Sequence, residues 1–295
     1  MSDLDLELKS CQRDVDREIK SLLPKGKGLE KKLFDAINYS ILSSGKRLRP
    51  FLVLKVSELF DVDKKNALRV AASIEMVHAY SLVHDDLPSM DDDSLRRGKL
   101  TTHKKFNEAT AILVGDSLLT LSFEILSDSL THSDPKIRCE LIQELSKASG
   151  ALGMVGGQMM DLEAENKNLN IGLITRIQRL KTGALIAFSC NSGSILGRAD
   201  NKYKFALQGY AHDIGLAFQI KDDLLDVTGE KKIIGKSVKK DIKAGKQNFV
   251  SILGKDRASE QADLLAEQAI KHLDVFKSNA DILRDVARFI VERNK

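Results

Sequence analysis

The feature that most constrains this chain is a 3.6-residue apolar periodicity that recurs nearly from end to end, with strand-like alternation scarce. It runs from Leu29 to Leu42, Ala67 to His84, Ala109 to Leu130, Ile171 to Leu196 and Lys204 to Leu225. Only Pro24, Pro50, Pro88 and Pro135 interrupt 295 residues, and the rest is dominated by Leu, Ile, Ala, Lys and Glu, a balance that favours long helices. Stop signals fall at SSGKRLRP (43 to 50), SDP (133 to 135) and LGMVGGQ (152 to 158). The reading is an all-α chain of ten or more helices. Several segments exceed 18 residues and are apolar on more than one face, as the central helices of a bundle around a cavity are. No composition shift marks a linker, so a single domain over 1–295 is expected.

The net charge of +4 is a small excess of 46 basic over 42 acidic side chains and does not point to nucleic acid. The one long stretch without periodicity, Gly229 to Asn248, is basic but lacks interleaved aromatics for base stacking. Its glycines and lysines read as a lid that orders when a ligand arrives. The N-terminal MSDLDLELKSCQRDVDREIK mixes charged and apolar residues where a signal peptide needs an uninterrupted apolar run, so the mature chain is expected to start at or near Met1. No window holds the ~18 consecutive apolar residues of a membrane span. Cys11, Cys139 and Cys190 are far apart and lack metal-ligand spacing, and they read as reduced, buried filler of a cytosolic protein.

Chemistry concentrates in two acidic clusters. DDLPSMDDD (85 to 93) puts five carboxylates in nine positions at the end of the apolar segment AASIEMVHAYSLVH. Carboxylates ~4 Å apart repel by about 1 kcal/mol in water and about 4 kcal/mol at an effective dielectric of 20, so such a run is either a solvated loop or a cation site. Arg96 and Arg97 follow it, and His78 lies seven residues before Asp85 on the same helical face. Hard oxygen ligands beside guanidinium forks suit a magnesium diphosphate complex. The second cluster, KDDLLD (221 to 226), ends the apolar segment KFALQGYAHDIGLAFQI. There Gln219, Asp222 and Asp226 share a stripe at i, i+3 and i+7, with Asp223 adjacent. Alone, either cluster is weak; facing each other across a bundle mouth, they would clamp a diphosphate above an apolar cavity. Pro88 is expected to bend the helix end and return Asp91 toward Asp85. Gly183, inside a helical run and costing roughly 1 kcal/mol against alanine, is a candidate kink.

GKRLRP (45 to 50), HAYSLVHDDLPSMDDDSLRRGKLTTH (78 to 103), KTGAL (181 to 185) and FQIKDDLLD (218 to 226) form an ordered set. In that set the chain resembles the trans-prenyl diphosphate synthases, the bacterial farnesyl diphosphate synthases among them. The resemblance implies an isoprenoid-synthase bundle that condenses isopentenyl diphosphate with dimethylallyl and geranyl diphosphate. It implies several Mg2+ ions per site, with Mn2+ as substitute, in a cytoplasmic homodimer. Asp85, Asp86 and Asp91 then form a first metal-binding motif, and Asp222, Asp223 and Asp226 a second. Arg96 is implied as a ligand of the allylic diphosphate, and Lys46, Arg49, His78 and Arg97 as the isopentenyl diphosphate site. Lys181 is implied to bind the allylic diphosphate, while Thr182 and Gln219 face the reacting carbons. Lys236 and Lys246 are implied to close over the diphosphates, and Tyr80 with Ser81 to set product length.

On a straight helix Tyr80 is rotated about 140° from Asp85, so its length-setting role rests on the resemblance alone. Lys239, Gln247, Asn248 and Val250 depart from the family pattern, and Arg47 has no clear role. Two rivals share most motifs. A geranylgeranyl diphosphate synthase would differ in pocket depth, and a non-catalytic regulatory subunit of a prenyltransferase would lack an aspartate motif; both motifs are intact here.

Overall fold

The computed structural model describes residues 3–42, 45–228 and 247–293, and these are overwhelmingly helical. The N-terminal half runs α1 (Asp3–Leu22), α2 (Lys31–Ile41), α3 (Leu48–Glu58), α4 (Lys64–Asp85), α5 (Thr102–Lys105), α6 (Glu108–Ser127) and α7 (Pro135–Ser149). There follow α8 (Met154–Glu163), α9 (Ile171–Gln178), a π-helical turn (Arg179–Gly183), α10 (Ala184–Leu196) and α11 (Asn201–Thr228). The described chain closes with α12 (Phe249–Leu253), α13 (Lys255–His272), a 3-10 segment (Leu273–Ala280) and α14 (Asp281–Glu292). The expectation of an all-α chain with ten or more helices holds.

Several helix starts are fixed by side-chain caps. Asp63 accepts from the Lys65 amide at 2.8 Å to start α4, and Asn107 accepts from Thr110 at 2.8 Å to start α6. The SDP break is a cap followed by proline at the first helical position: Asp134 accepts from Lys136 at 2.9 Å and Pro135 opens α7. The break at 152 to 158 is narrower than its glycines suggested, because Gly156 and Gly157 are already helical in α8. The run from Ile171 to Leu196 is a single helical stretch carrying the π turn at Arg179–Gly183, where the Gly183 kink was expected.

One contiguous apolar cluster fills the bundle, and Phe51, Ile74, Met76, Leu118, Leu141 and Tyr210 are fully buried within it. The helix α4 is buried on nearly every side, packed by α1, α3, α6 and α10. Its C-terminal end and that of α11, which leans on α13 and α10, reach the same side of the molecule. Cys11 and Cys190 are buried as expected, but Cys139 is exposed on the outer face of α7. One described helix, α6, is long and apolar enough to cross a membrane by composition, yet 44% of that window is buried and it packs on α4.

Candidate active site

After α4 the chain does not simply loop away. The Asp91 amide donates back to the Asp85 carbonyl at 2.9 Å, so the turn through Pro88 returns the third aspartate to the helix end, as expected. Next comes a hairpin absent from the sequence reading: β1 (Leu95–Arg96) pairs with β2 (Lys99–Leu100), with Arg97 at φ 51 and Gly98 at φ 77 as its central residues. Positive φ at both positions makes a tight turn whose twist suits the strands. It projects the Arg96 and Arg97 side chains into the cleft beside the aspartates.

That cleft, of about 820 Å³, gathers most of the residues singled out from sequence. On its rim stand Lys46, Arg49, His78, Asp85, Asp91, Arg96, Arg97, Lys181, Thr182, Gln219 and Asp222. The π turn bulges Lys181 and Thr182 inward. Thr182 Oγ1 donates to Gln219 Oε1 at 3.1 Å, and Lys181 Nζ bonds Asp161 at 2.7 Å. Three expected metal ligands have other engagements. Asp86, 3% exposed, is held by the Arg96 fork at 2.6 to 2.9 Å. Asp223, equally buried, accepts from the Phe249 amide at 3.0 Å and from Gln219 Nε2 at 3.3 Å. Asp222 meets Arg293 Nη2 at 2.6 Å. Asp226 lies one turn beyond Asp222 on α11 and is not part of the cleft wall. Lys236 and Lys246, with most of the basic stretch, lie outside the described residues.

Below the cleft a second pocket of about 560 Å³ shares Arg49, His78, Leu82, Asp85, Lys181 and Thr182 with it and is otherwise largely apolar. Tyr80 and Ser81 both line this pocket. The straight-helix objection to Tyr80 fails because the pocket spans two neighbouring stripes of α4. Ser81 and Asp85 lie on one, and Tyr80 and His84 on the other, their rings edge to face at 5.6 Å. Facing walls come from Ile112 of α6 and Met154, Val155, Met159 and Leu162 of α8.

Burial shifts charged groups on both the basic and the acidic side of the cleft. On the basic side, burial pulls the Arg49 guanidinium below its ordinary pKa and Arg97 adds to the shift, against Glu75 and Asp222. Arg49 Nε is shielded from solvent with no hydrogen-bond partner among the described residues. Arg97 is likewise lowered by burial and by Arg47 and Arg96, and His78 is held well below 6.5 by burial, then by Arg49 and Arg97. On the acidic side, burial, with repulsion from Asp91 and Asp86, raises Asp85 to about 6 despite Lys181. Buried cationic and anionic groups with shifted pKa values thus face one cleft, the pattern of a site built to take a charged ligand. Among the described residues no three acidic, His or Cys side chains already converge on one point. Asp85, Asp91 and Asp222 nonetheless offer hard oxygen donors to the cleft, a set suited to a cation that takes one or two carboxylates and completes its shell with phosphate oxygens.

Sequence reasoning missed four residues. Arg47 is buried at the start of α3 and bonds Glu75 Oε1 at 2.5 Å, Asp16 at 2.9 Å and the Ile41 carbonyl at 2.7 Å, which fixes the chain between Lys46 and Arg49. Its partners are 28 and 31 residues away in sequence, so no local pattern marks them. Asp161 holds Lys181, and Gln158 lines the apolar pocket; both sit in the GGQMMD run, whose glycines were read only as a break. Arg293, near the C-terminus, stacks on the Phe218 ring at 4.0 Å and pairs with Asp222.

The polyprenyl synthetase family model matches residues 30–285. The farnesyl diphosphate synthase of Escherichia coli (strain K12) is 40% identical over 298 aligned residues, 99% of this chain and 100% of that protein. The farnesyl diphosphate synthase of Micrococcus luteus is 44% identical over 279 residues, 93% of this chain and 94% of its own. A crystal structure from Zymomonas mobilis, bearing the name FPP/GFPP synthase, is 47% identical and matches with a TM-score of 0.89 over 98% of both chains. The ordered motifs, the helical bundle and these full-length likenesses together make this chain a member of the polyprenyl synthetase family.

Proposed function

We propose that this chain is a prenyltransferase that joins isopentenyl diphosphate to dimethylallyl and then geranyl diphosphate, releasing farnesyl diphosphate. The observation that carries the reading is the convergence of carboxylates and basic side chains on one cleft above an apolar pocket. Asp85, Asp91 and Asp222 share one cleft with Lys46, Arg49, Arg96, Arg97 and Lys181, burial lowers the pKa of Arg49, Arg97 and His78 and raises that of Asp85, and an apolar pocket opens directly beneath. A magnesium-bound allylic diphosphate supplies cation, anion and hydrocarbon tail at once. The relatives named farnesyl diphosphate synthase support the same reaction.

Each side chain then has a task. Asp85, Asp91 and Asp222 line the cleft and would hold Mg2+, with Asp86, Asp223 and Asp226 completing the two motifs. Bound there, the metal supplies Lewis-acid stabilisation of the leaving diphosphate. Arg96 and Lys181 bind the allylic diphosphate and neutralise charge that grows as the C–O bond breaks. Lys46, Arg49, His78 and Arg97 hold isopentenyl diphosphate. Thr182 and Gln219, hydrogen-bonded to each other, turn oxygen dipoles toward the allylic cation, which the isopentenyl double bond attacks. The proton lost afterwards goes to the departed diphosphate. The reading includes a cytoplasmic homodimer, whose oligomeric state light scattering tests.

Radiolabelled isopentenyl diphosphate with each allylic primer gives the decisive assay. A fifteen-carbon product, abolished by excess chelator and reduced at least a hundredfold in Asp85→Asn with little loss of thermal stability, is expected. Full turnover in excess chelator would overturn the reading. A twenty-carbon product would favour the geranylgeranyl diphosphate synthase reading, which a 40% identical relative of that name from Cyanophora paradoxa supports.

A further inference from the structure

We propose that Gln158 of α8 is an additional residue facing the allylic cation, its amide presented to both products of ionisation. The inference rests on the synthase reading above. Its starting point is a cost: Gln158 Oε1 and Nε2 are both shielded from solvent, and neither has a hydrogen-bond partner among the described residues. Each unsatisfied buried polar atom costs about 1–3 kcal/mol, and the surrounding wall of Met154, Met159, Leu162 and Leu185 would accept an apolar side chain of the same size. An amide kept there without a partner points to a ligand that supplies one.

Its position is fixed from both sides. Gly157 packs so closely on the π turn that a Cβ there would lie 2.2 Å from the Lys181 nitrogen and 2.7 Å from its Cα. One turn along, Asp161 bonds Lys181 Nζ at 2.7 Å. Between these two anchors Gln158 lines the pocket together with Asp85, Lys181 and Thr182, where the polar cleft opens into the apolar pocket. The allylic C1–O bond has to lie at that junction, with the diphosphate above and the tail below. When it breaks, the electron pair leaves on the diphosphate oxygen and positive charge spreads over the allylic carbons. The amide oxygen of Gln158 meets the cation and its NH2 meets the departing oxygen. Being neutral, the amide stabilises charge without the permanent attraction that would draw a carboxylate onto Lys181.

The test uses Gln158→Leu and Gln158→Met in the full chain, with three measurements: Tm, Kd for dimethylallyl thiolodiphosphate, which resists ionisation, and kcat with KM for dimethylallyl diphosphate. The expected result is a Tm unchanged or raised, a thiolodiphosphate Kd unchanged, and kcat lowered on the order of tenfold or more. This combination separates a group acting on the cation from one acting on the fold or on ground-state binding. Wild-type kcat in both variants, a Kd loss as large as the kcat loss, or a lowered Tm in both would each overturn the proposal. Wild-type enzyme in the same assay keeps the two claims apart, since its inactivity sinks the synthase reading and leaves the variants irrelevant to it.

Discussion

Arg47 offers the sharpest test of how the bundle holds its basic cluster. Its side chain is 3% exposed, as is fitting for a group that bonds Glu75, itself 6% exposed, while its second partner, Asp16, is 30% exposed and hydrated. Arg47→Met keeps the volume and adds no new backbone demand at a position of φ 50, but strips the counter-ion from Glu75. Leaving one member of a buried pair uncompensated costs about 3–5 kcal/mol. With an unfolding entropy of about 2.1 cal/mol/K per residue over 295 residues, each kcal/mol is worth roughly 1.6 °C, so Tm falls by roughly 5–8 °C. Scanning calorimetry measures it. Adding Glu75→Met to Arg47→Met should restore part of the loss, because no bare carboxylate then remains inside. A single-variant loss below about 1 kcal/mol, or a double variant whose losses simply add, would refute the argument that an unpaired Glu75 is the source of the penalty.

Other expectations follow from the same structure. Tyr80→Ala removes the ring packed on His84 at the pocket wall and should shift products from fifteen carbons toward twenty or more, with chelator sensitivity unchanged. An active, folded Tyr80→Ala enzyme that still makes only the fifteen-carbon product removes Tyr80 as the length-setting wall. Native alkylation at pH 8 should label Cys139 alone, because burial pushes the Cys11 thiol up to about 12 and raises Cys190 further, so both stay protonated and inaccessible. Peptide mapping that finds Cys11 or Cys190 labelled at a comparable rate in the folded chain contradicts that packing.

What the sequence determined by itself was whatever depends on local spacing. The 3.6-residue period specified α4, α6 and α11, Asp134 and Pro135 marked the start of α7, and Pro88 and Gly183 marked the two places where helix geometry gives way. The two aspartate motifs and the basic residues that meet them in the cleft were legible for the same reason, since each occupies a short run with its own chemistry. Tertiary structure decided what local spacing does not encode. It brought Arg293 to Asp222 across 71 residues and Arg47 to Glu75 across 28, and it laid two stripes of α4 along one pocket so that Tyr80 joined Ser81 there. It also pressed Gly157 of α8 against the π turn, which put Gln158 on the same pocket wall as Lys181 and Thr182 with neither amide atom satisfied. Such pairings depend on which helix faces meet in the packed bundle, and burial then sets their energetic weight by removing the water that would otherwise screen them.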